Sequence, residues 1–501
     1  MHTMSKSASS DSFCFRSPQR LPVRPISYAV LVAALLSTTV FVSLHAMPVS
    51  SALPLVLVSQ TNPPLYNSDG TKRTNAAGAP MTSPRLIELE FANPLINPST
   101  NTKVRILLPQ NYPKAGANYP VLYLLHGGQP RGGGRGGAHV WTQNILAPQT
   151  LFDFTGDKDV VIVMPDGGDL GFYSDWYNGG SFGPPMWETF HLAQLIPYIE
   201  ANYNVRTDRG GRVVAGVSMG GFGAMSYAAR HPDLFAGTYA FSGALDNAFL
   251  GPESAFPTQM RPDAIWGPFL TQEVRWHGHN PLDLAENLAP LQVWFRTGRG
   301  LPGGPAPDDG DPAKLGLEGK IALLNDRFHE RLNELRIAHF YDSYPRGGHI
   351  QYHFMESFLQ AWPNIAADFM RPVQNPVQFN YRSIEPNFRV WDWEFTVTRD
   401  VVEFLYLTNV SKSGLTIRGS GDIRVRTAPG FLPHHDYSLN VSGAAEAKVS
   451  PEKVKADSDG RLEFDVRLGK SHALQQYTLE QKEAEKRDPF YWKEAEISIV
   501  P

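Results

Sequence analysis

Short apolar runs alternate with helical patterns through the middle of the chain. Each run is apolar on both faces and ends at a turn residue, as is typical of parallel strands covered by helices. The runs are VLYLLHGG (121–128), VVIVMPDGG (160–168), RVVAGVS (212–218), LFAGTYAFSG (234–243), LQVWFRTG (291–298) and IAHFYDSYP (337–345). This alternation predicts a doubly wound α/β sheet.

A helix is predicted between the second and third runs. Its apolar face has the 3.6-residue period of a helix packed on a sheet. The face consists of Leu192, Leu195, Ile196, Ile199 and Tyr203. Pro197 lies inside this pattern, so we expect the helix to kink or to start late.

The pattern changes near Arg371. A Pro- and Asn-rich stretch leads into VWDWEFTVTRD, where apolar residues alternate with polar ones, and later segments are short, alternating and bounded by turn residues. We interpret residues 372–501 as a small all-β sandwich. Trp391 and Trp393 could form a carbohydrate-binding platform, but packing in the sandwich core is the favoured interpretation.

The N-terminus has the order of a secretory signal. Arg16, Arg20 and Arg24 precede an uncharged apolar run over residues 28–44, with small residues after it. We expect residues 1–46 to be a signal peptide, with cleavage after Ala52 as the alternative to cleavage after Ala46. The mature protein is then expected to be secreted or periplasmic, without a membrane span. The alternative is an uncleaved anchor, because the run approaches the length that spans a bilayer.

Composition excludes several classes of protein. The 501 residues carry a formal net charge of -4 with both signs mixed, so no basic run indicates nucleic acid binding. Cys14 is the only cysteine, and its loss with the signal would leave no disulfide, thiolate zinc site or cysteine nucleophile. After a poorly ordered lead-in (47–84), rich in Pro, Ser, Thr, Asn and Gly, we expect the α/β domain over residues 85–371.

Gly216-Val217-Ser218-Met219-Gly220 fits the pattern G-x-S-x-G. An apolar strand precedes it and a helix rich in Ala and Gly follows it, which is the context that the motif requires. Small flanking residues let the strand and helix approach closely and force the serine outward. Ser218 is therefore predicted to be a nucleophile.

A serine nucleophile needs a base, and the base needs an orienting acid. In this fold the order along the chain is Ser, acid, His. His349 follows the last predicted strand on a Gly-Gly loop and is the favoured base, with His353 as the fallback. Spacing alone cannot choose the acid among the residues after LQVWFRTG, which are Asp308, Asp309, Asp311 and Glu318.

Acyl transfer also needs donors aimed at the developing oxyanion. The N–H of Met219, directly after the nucleophile, is one candidate. The second is expected from the loop after the first run, at Gly128. This glycine-rich loop lacks the P-loop pattern G-x-x-x-x-G-K-[ST], and no cluster has convincing metal-ligand spacing, so neither a cofactor nor a metal is implied.

Several blocks resemble the antigen 85 mycolyltransferase and putative esterase family of α/β-hydrolases. They are YLLHGG, VVIVMPDGGDLGFYSDWYNGG, WETF, GVSMGGFGAMSYAARHPDLFAG and SGALD, spanning roughly residues 120–247, with a weaker match to about 370. The resemblance implies an acyl-enzyme on Ser218, oxyanion donors at Met219 and Gly128, and His349 as base. Leu317-Glu318 is similar to the block that carries the family's glutamate, which favours Glu318 as acid over Asp308 and Asp309.

One departure from the family concerns the substrate. The mycolyltransferases have an Asp-Gly pair that helps to hold trehalose, where this chain has His126-Gly127. This difference argues against trehalose mycolylation and favours general ester hydrolysis, with His126 and Trp176 as expected substrate-binding residues. The alternatives are an acyltransferase that moves an acyl group to a sugar or lipid hydroxyl, and a non-catalytic binding protein.

Overall fold

The computed structural model describes residues 54–129, 137–143, 148–249, 262–306 and 309–501. The predicted signal peptide (1–46) and Asp308 lie outside these residues. Strands in the described part of the chain are β1 (Val56–Thr61), β2 (Leu86–Ala92), β3 (Asn101–Leu107), β4 (Val121–Leu125), β5 (Val161–Pro165), β6 (Arg212–Val217), β7 (Gly237–Phe241), β8 (Gln292–Leu301), β9 (Phe340–Arg346), β10 (Phe379–Ser383), β11 (Asn387–Val390), β12 (Trp393–Thr398), β13 (Leu405–Ser411), β14 (Gly414–Gly419), β15 (Asp422–Arg426), β16 (Asp436–Gly443), β17 (Lys448–Ser450), β18 (Lys453–Lys455), β19 (Glu463–Arg467) and β20 (Lys493–Val500).

The helices are mostly short, with two long ones late in the α/β part. Those of the described ranges are α1 (Leu151–Phe154), α2 (Ile196–Asn202), α3 (Met219–Arg230), α4 (Pro262–Trp266), α5 (Phe269–His279), α6 (Pro312–Glu334), α7 (Gln351–Met370) and α8 (Leu479–Arg487). None of the described helices combines the length and apolar character needed to cross a membrane.

The large sheet is mixed, with a parallel centre. Over the described residues its order is β1-β2-β3-β5-β4-β6-β7-β8-β9, parallel from β5 to β9 and antiparallel before it. The six predicted apolar runs form β4 to β9, so the predicted α/β sheet is confirmed. Strands β4, β5, β6 and β7 are buried along their whole length, because helices cover both faces.

The sheet begins earlier than the sequence patterns predict. Strands β2 and β3 pair antiparallel, and β1 adds to β2 as the edge strand. Strand β1 lies within the segment for which we expected little order. Its apolar residues Val56, Leu57 and Val58 are exposed, so the strand joins the sheet by backbone pairing and not by burying an apolar face.

The helix that contains Pro197 does not start late, because helical backbone runs without a break over residues 187–202. Residues Thr189–Leu195 form a π-helix, and α2 begins at Ile196 with Pro197 in its first turn. The change from π- to α-helix falls next to Pro197, which has no N–H to donate to the preceding turn, so the expected disturbance takes the form of a π-helical segment.

The C-terminal region consists of two antiparallel sheets. In the described residues their orders are β10-β13-β14-β20-β16-β18 and β11-β12-β15-β19-β17, and their inner faces share one apolar core. Trp391 and Trp393 are each 4% exposed and belong to that core, so they are packing residues and not a platform.

The sandwich contacts the end of α3. Arg230, the last residue of α3, bonds to Glu188 at 2.9 Å and to Glu385 of the sandwich at 2.9 Å, and the Tyr381 hydroxyl donates to the Arg230 carbonyl at 2.6 Å. The boundary near residue 371 stays a prediction; α7 ends at Met370 and β10 begins at Phe379.

Candidate active site

Ser218 lies in a strained turn between β6 and α3. Its φ is 51° and its ψ is -118°, a sparsely populated conformation that a non-glycine residue adopts only where its surroundings enforce it. The flanking glycines are required for space. A Cβ on Gly216 would lie 2.2 Å from the Gly220 carbonyl oxygen, and one on Gly220 would lie 2.5 Å from the Leu125 carbonyl oxygen.

The structure brings Ser218, His349 and Glu318 into one hydrogen-bonded chain. His349 Nε2 lies 2.8 Å from Ser218 Oγ, and His349 Nδ1 lies 2.6 Å from Glu318 Oε2. His349 stands on the loop between β9 and α7, and Glu318 lies in the second turn of α6. These three residues come from separate segments that meet at the carboxyl end of the parallel strands, where α/β folds place their ligands.

Glu318 is fully buried. Its second carboxylate oxygen, Oε1, accepts hydrogen bonds from three donors. Oε1 accepts from the Ser242 hydroxyl at 2.7 Å, the Thr297 hydroxyl at 3.2 Å and the Gly298 N–H at 2.6 Å. A buried carboxylate is tolerated when hydrogen bonds compensate for its lost hydration. With Oε1 occupied in this way, Oε2 is left to accept from His349 Nδ1.

Ser242 and Thr297 are functional candidates that our reading of the sequence missed. Ser242 directly follows β7, and Thr297 lies near the end of β8. Their position at the carboxyl ends of parallel strands is the signal that could have found them.

The first turn of α3 and the loop after β4 lie next to the serine. Met219 is the first residue of α3, so its N–H is among those with no partner inside the helix. Gly127 approaches the serine from the loop after β4, because a Cβ built on it would lie 3.2 Å from Ser218 Cβ. Gly128, the predicted second donor, follows Gly127 directly.

His126 is buried beneath this loop, and both of its ring nitrogens are engaged. The Gly167 N–H donates to Nε2 at 2.8 Å, so Nδ1 carries the proton and donates to the Gly127 carbonyl at 2.6 Å. His126 is 1% exposed, which corrects our expectation that it contacts substrate. Since the C=O and N–H of one planar peptide point in opposite directions, the bond to the Gly127 carbonyl also orients the Gly128 N–H.

A second buried histidine supports the neighbouring loop. His191 Nε2 lies 2.9 Å from the Asp166 carbonyl oxygen and Nδ1 lies 2.8 Å from the Tyr227 hydroxyl. Burial lowers the pKa of His191 to about 4, so this ring is neutral at physiological pH.

The remaining predicted site residues lie in other surroundings. Trp176 is half-buried, and its Nε1 donates to the Gly171 carbonyl at 3.1 Å. Asp309 is bonded to His353 and to the Gly348 N–H, while Glu318 is the carboxylate bonded to His349. Asp308 falls outside the described residues. Among the residues that the structure describes, no group of three or more His, Cys, Asp or Glu side chains could hold a metal ion.

The parallel sheet covered by helices, with a serine in a strained strand-to-helix turn, defines an α/β-hydrolase fold. The chain belongs to the family described as putative esterases, whose sequence model matches residues 97–365. The predicted family is thereby confirmed.

Named relatives come from mycobacteria. Esterase Rv1288 of Mycobacterium tuberculosis is 35% identical over 275 residues, covering 53% of this chain and 56% of that protein. The diacylglycerol acyltransferase/mycolyltransferase Ag85A of Mycobacterium leprae is 30% identical over 252 residues, covering 47% of this chain and 70% of that protein. The chain thus spans about half the length of the esterase relative.

Among solved structures, MPT51 (FbpC1) of Mycobacterium tuberculosis matches with a TM-score of 0.39 at 22% identity, covering 57% of this chain and 99% of that chain. A ferulic acid esterase matches with a TM-score of 0.39 at 22% identity, covering 56% of this chain and 98% of that one.

Proposed function

We propose that this protein is an exported serine esterase that hydrolyses carboxylic esters through an acyl-enzyme on Ser218. The observation that carries the proposal is the hydrogen-bonded chain from Ser218 Oγ to His349 Nε2 (2.8 Å) and from His349 Nδ1 to Glu318 Oε2 (2.6 Å). A base within hydrogen-bond reach of a serine, oriented in turn by a buried acid, is the arrangement that activates a weak hydroxyl nucleophile.

In the acylation step, Ser218 Oγ attacks the ester carbonyl carbon while His349 Nε2 takes the hydroxyl proton. The negative charge moves to the carbonyl oxygen, which accepts hydrogen bonds from the N–H groups of Met219 and Gly128. The bond to the alcohol then breaks, and the leaving oxygen takes the proton from His349. Glu318 holds the Nδ1 proton throughout and stabilises the imidazolium.

In the second step a water molecule gives a proton to His349 and attacks the acyl carbon. The tetrahedral intermediate collapses, the carboxylic acid leaves, and the proton returns to Ser218 Oγ. The strained turn supports this role, because it holds the serine clear of the helix that follows it.

An acyltransferase is the second candidate. It would use the same acyl-enzyme, with a sugar or lipid hydroxyl in place of water. The similarity to the Ag85A protein named as a diacylglycerol acyltransferase/mycolyltransferase favours this alternative, whereas the buried His126 at the position of the family's Asp leaves hydrolysis as the first choice.

The test is release of p-nitrophenol from acetate, butyrate and longer acyl esters by the purified mature chain. We expect turnover in the wild type and its loss in Ser218→Ala, and the chain-length profile then measures the acyl pocket. Adding glycerol or trehalose separates the two candidates, because an acyltransferase gives an acylated alcohol in place of free acid. Equal turnover in the wild type and Ser218→Ala would contradict both.

The export proposal has its own test. The N-terminal residue of the protein recovered from the medium or periplasm should follow Ala46, at the end of the predicted signal, or Ala52, the alternative cleavage position. Recovery of the full-length chain in the membrane fraction would support the uncleaved anchor instead.

A further inference from the structure

A second Asp–His pair lies behind the loop that carries His349. Asp309 is 3% exposed and His353 is 1% exposed. Asp309 Oδ1 lies 2.8 Å from His353 Nε2 and also accepts from the Gly348 N–H at 3.0 Å. Asp309 Oδ2 accepts from the Ala306 N–H at 2.9 Å.

These bonds join three segments of the chain. Ala306 and Asp309 precede α6, Gly348 belongs to the loop after β9, and His353 lies in the first turn of α7. One buried carboxylate therefore ties the residue before His349 to the helix after it and to the segment before α6.

Backbone bonds hold the loop as well. The Gly347 N–H donates to the Leu301 carbonyl at 2.8 Å, and the His349 N–H donates to the Lys314 carbonyl at 3.0 Å. The loop also closes directly over the His353 ring, since a Cβ on Gly347 would lie 2.3 Å from His353 Nε2 and the φ of Gly347 is 120°. Gly347 is thus fitted to the ring beneath it.

Electrostatics support an ionised Asp309. Burial raises the pKa of its carboxyl, but the hydrogen bonds from the Gly348 N–H, His353 and the Ala306 N–H outweigh burial and lower it overall. A carboxylate that accepts three bonds holds its partners more strongly than a neutral group does.

We infer that Asp309 is a positioning residue: with His353 it fixes the loop that holds His349 within reach of Ser218 and Glu318. Asp309 bonds to the backbone next to His349, whereas the His349 ring itself bonds to Glu318. Its effect on the reaction therefore passes through the position of His349. The expected effect on kcat rests on the proposed function. The expected effect on the position of the loop depends only on the fold.

The kinetic test compares Asp309→Asn with the wild type on a p-nitrophenyl ester. Asn keeps the size of the side chain but removes the charge and one acceptor. We expect kcat to fall about ten- to hundredfold, because a base displaced by about 1 Å loses activity on that scale. KM should stay within about twofold, since the contacts that bind substrate are kept. Asp311→Asn is the matched control: Asp311 caps α6 through the Ala313 N–H, and Asn caps equally well.

A double-mutant cycle separates positioning from a general structural role. If Asp309 acts through His349, Asp309→Asn should lower the residual rate of His349→Ala by less than about twofold. If Asp309→Asn lowers the rate by the same factor in the wild type and in His349→Ala, the inference is overturned. A kcat of Asp309→Asn within about twofold of the wild type would also overturn it. His353→Leu, which removes one of the three bonds, should lower kcat by a smaller factor and covers the case in which Asp309→Asn does not fold.

Hydrogen exchange tests the loop without any substrate. We expect the amides of residues 347–350 to exchange at least about tenfold faster in Asp309→Asn than in the wild type, with α3 unchanged, because a neutral amide oxygen holds the Gly348 N–H less strongly than the carboxylate and the NH2 group opposes the Ala306 N–H. Unchanged exchange in the loop would overturn the inference. This readout stands even if the wild type shows no esterase activity, so failure of the proposed function and failure of the positioning role are distinguishable.

Discussion

Glu318→Gln tests the role of a single atom, the Oε2 oxygen of Glu318 that accepts a hydrogen bond from His349. Oε1 of Glu318 accepts three hydrogen bonds, one of them from the Gly298 N–H, which cannot reverse its role. The amide oxygen of the glutamine must therefore take the Oε1 position, since the opposite orientation would leave a buried N–H facing an NH2 group. The glutamine NH2 group then faces His349 Nδ1.

A donor at that place reverses the tautomer of His349. Nδ1 would have to accept the bond, so Nε2 would carry the proton and could no longer take one from Ser218. In a serine protease the corresponding Asp→Asn change lowers kcat about 10⁴-fold through the same reversal. We expect kcat to fall about 10³- to 10⁴-fold here, about 4–5.5 kcal/mol of transition-state stabilisation.

The assay is steady-state hydrolysis of p-nitrophenyl acetate, with KM expected within about threefold of the wild type because the substrate contacts remain. Glu334→Gln, at the exposed end of the same helix, is the control, since its surface pair with Arg331 contributes little. A kcat of Glu318→Gln within about fivefold of the wild type, with Ser218→Ala inactive, would refute the tautomer argument.

Three further predictions concern the supporting structure. His126→Leu removes the bond that orients the Gly128 N–H, so it should lower kcat up to about 10²-fold with little change in KM. Steady-state ester hydrolysis measures both constants. Gly220→Ala places a Cβ 2.5 Å from the Leu125 carbonyl oxygen and should reduce the free energy of unfolding in urea by about 1–3 kcal/mol; an unchanged midpoint would contradict the close approach. For His277, burial lowers the pKa, but two neighbouring carboxylates outweigh burial and raise it to about 9. A raised folded-state pKa gives stability that is complete below pH about 6.5 and is lost as pH rises through about 9, so the wild type should lose up to about 3 kcal/mol over that range, and His277→Gln should lose less.

The centre of the fold could be predicted from sequence because its strands are apolar on both faces. Strand β1 was not predicted, because its apolar residues Val56, Leu57 and Val58 do not alternate with polar ones and adjoin a stretch rich in Pro and Ser; it pairs with the edge of β2 through its backbone. Backbone pairing of this kind leaves no periodic signal in the side chains.

Some residues of the candidate site could likewise be predicted from the sequence, and others could not. Ser218 and His349 carry local signals, a glycine-flanked turn and a glycine loop after a strand. Spacing could not select Glu318, because the choice depends on which carboxylate α6 turns toward Gly298. The orientation of His126 is also invisible in a sequence, since a histidine beside a glycine loop can face the substrate or its own backbone.

The central claim is that Ser218 is the nucleophile, and covalent labelling tests it most directly. The mature chain is treated with a fluorophosphonate, and the mass of the intact protein and of its peptides is measured. The account predicts one adduct per chain, on Ser218, with no adduct in Ser218→Ala and strongly slowed labelling in His349→Ala. An adduct on another residue, or equal labelling of Ser218→Ala, would contradict it.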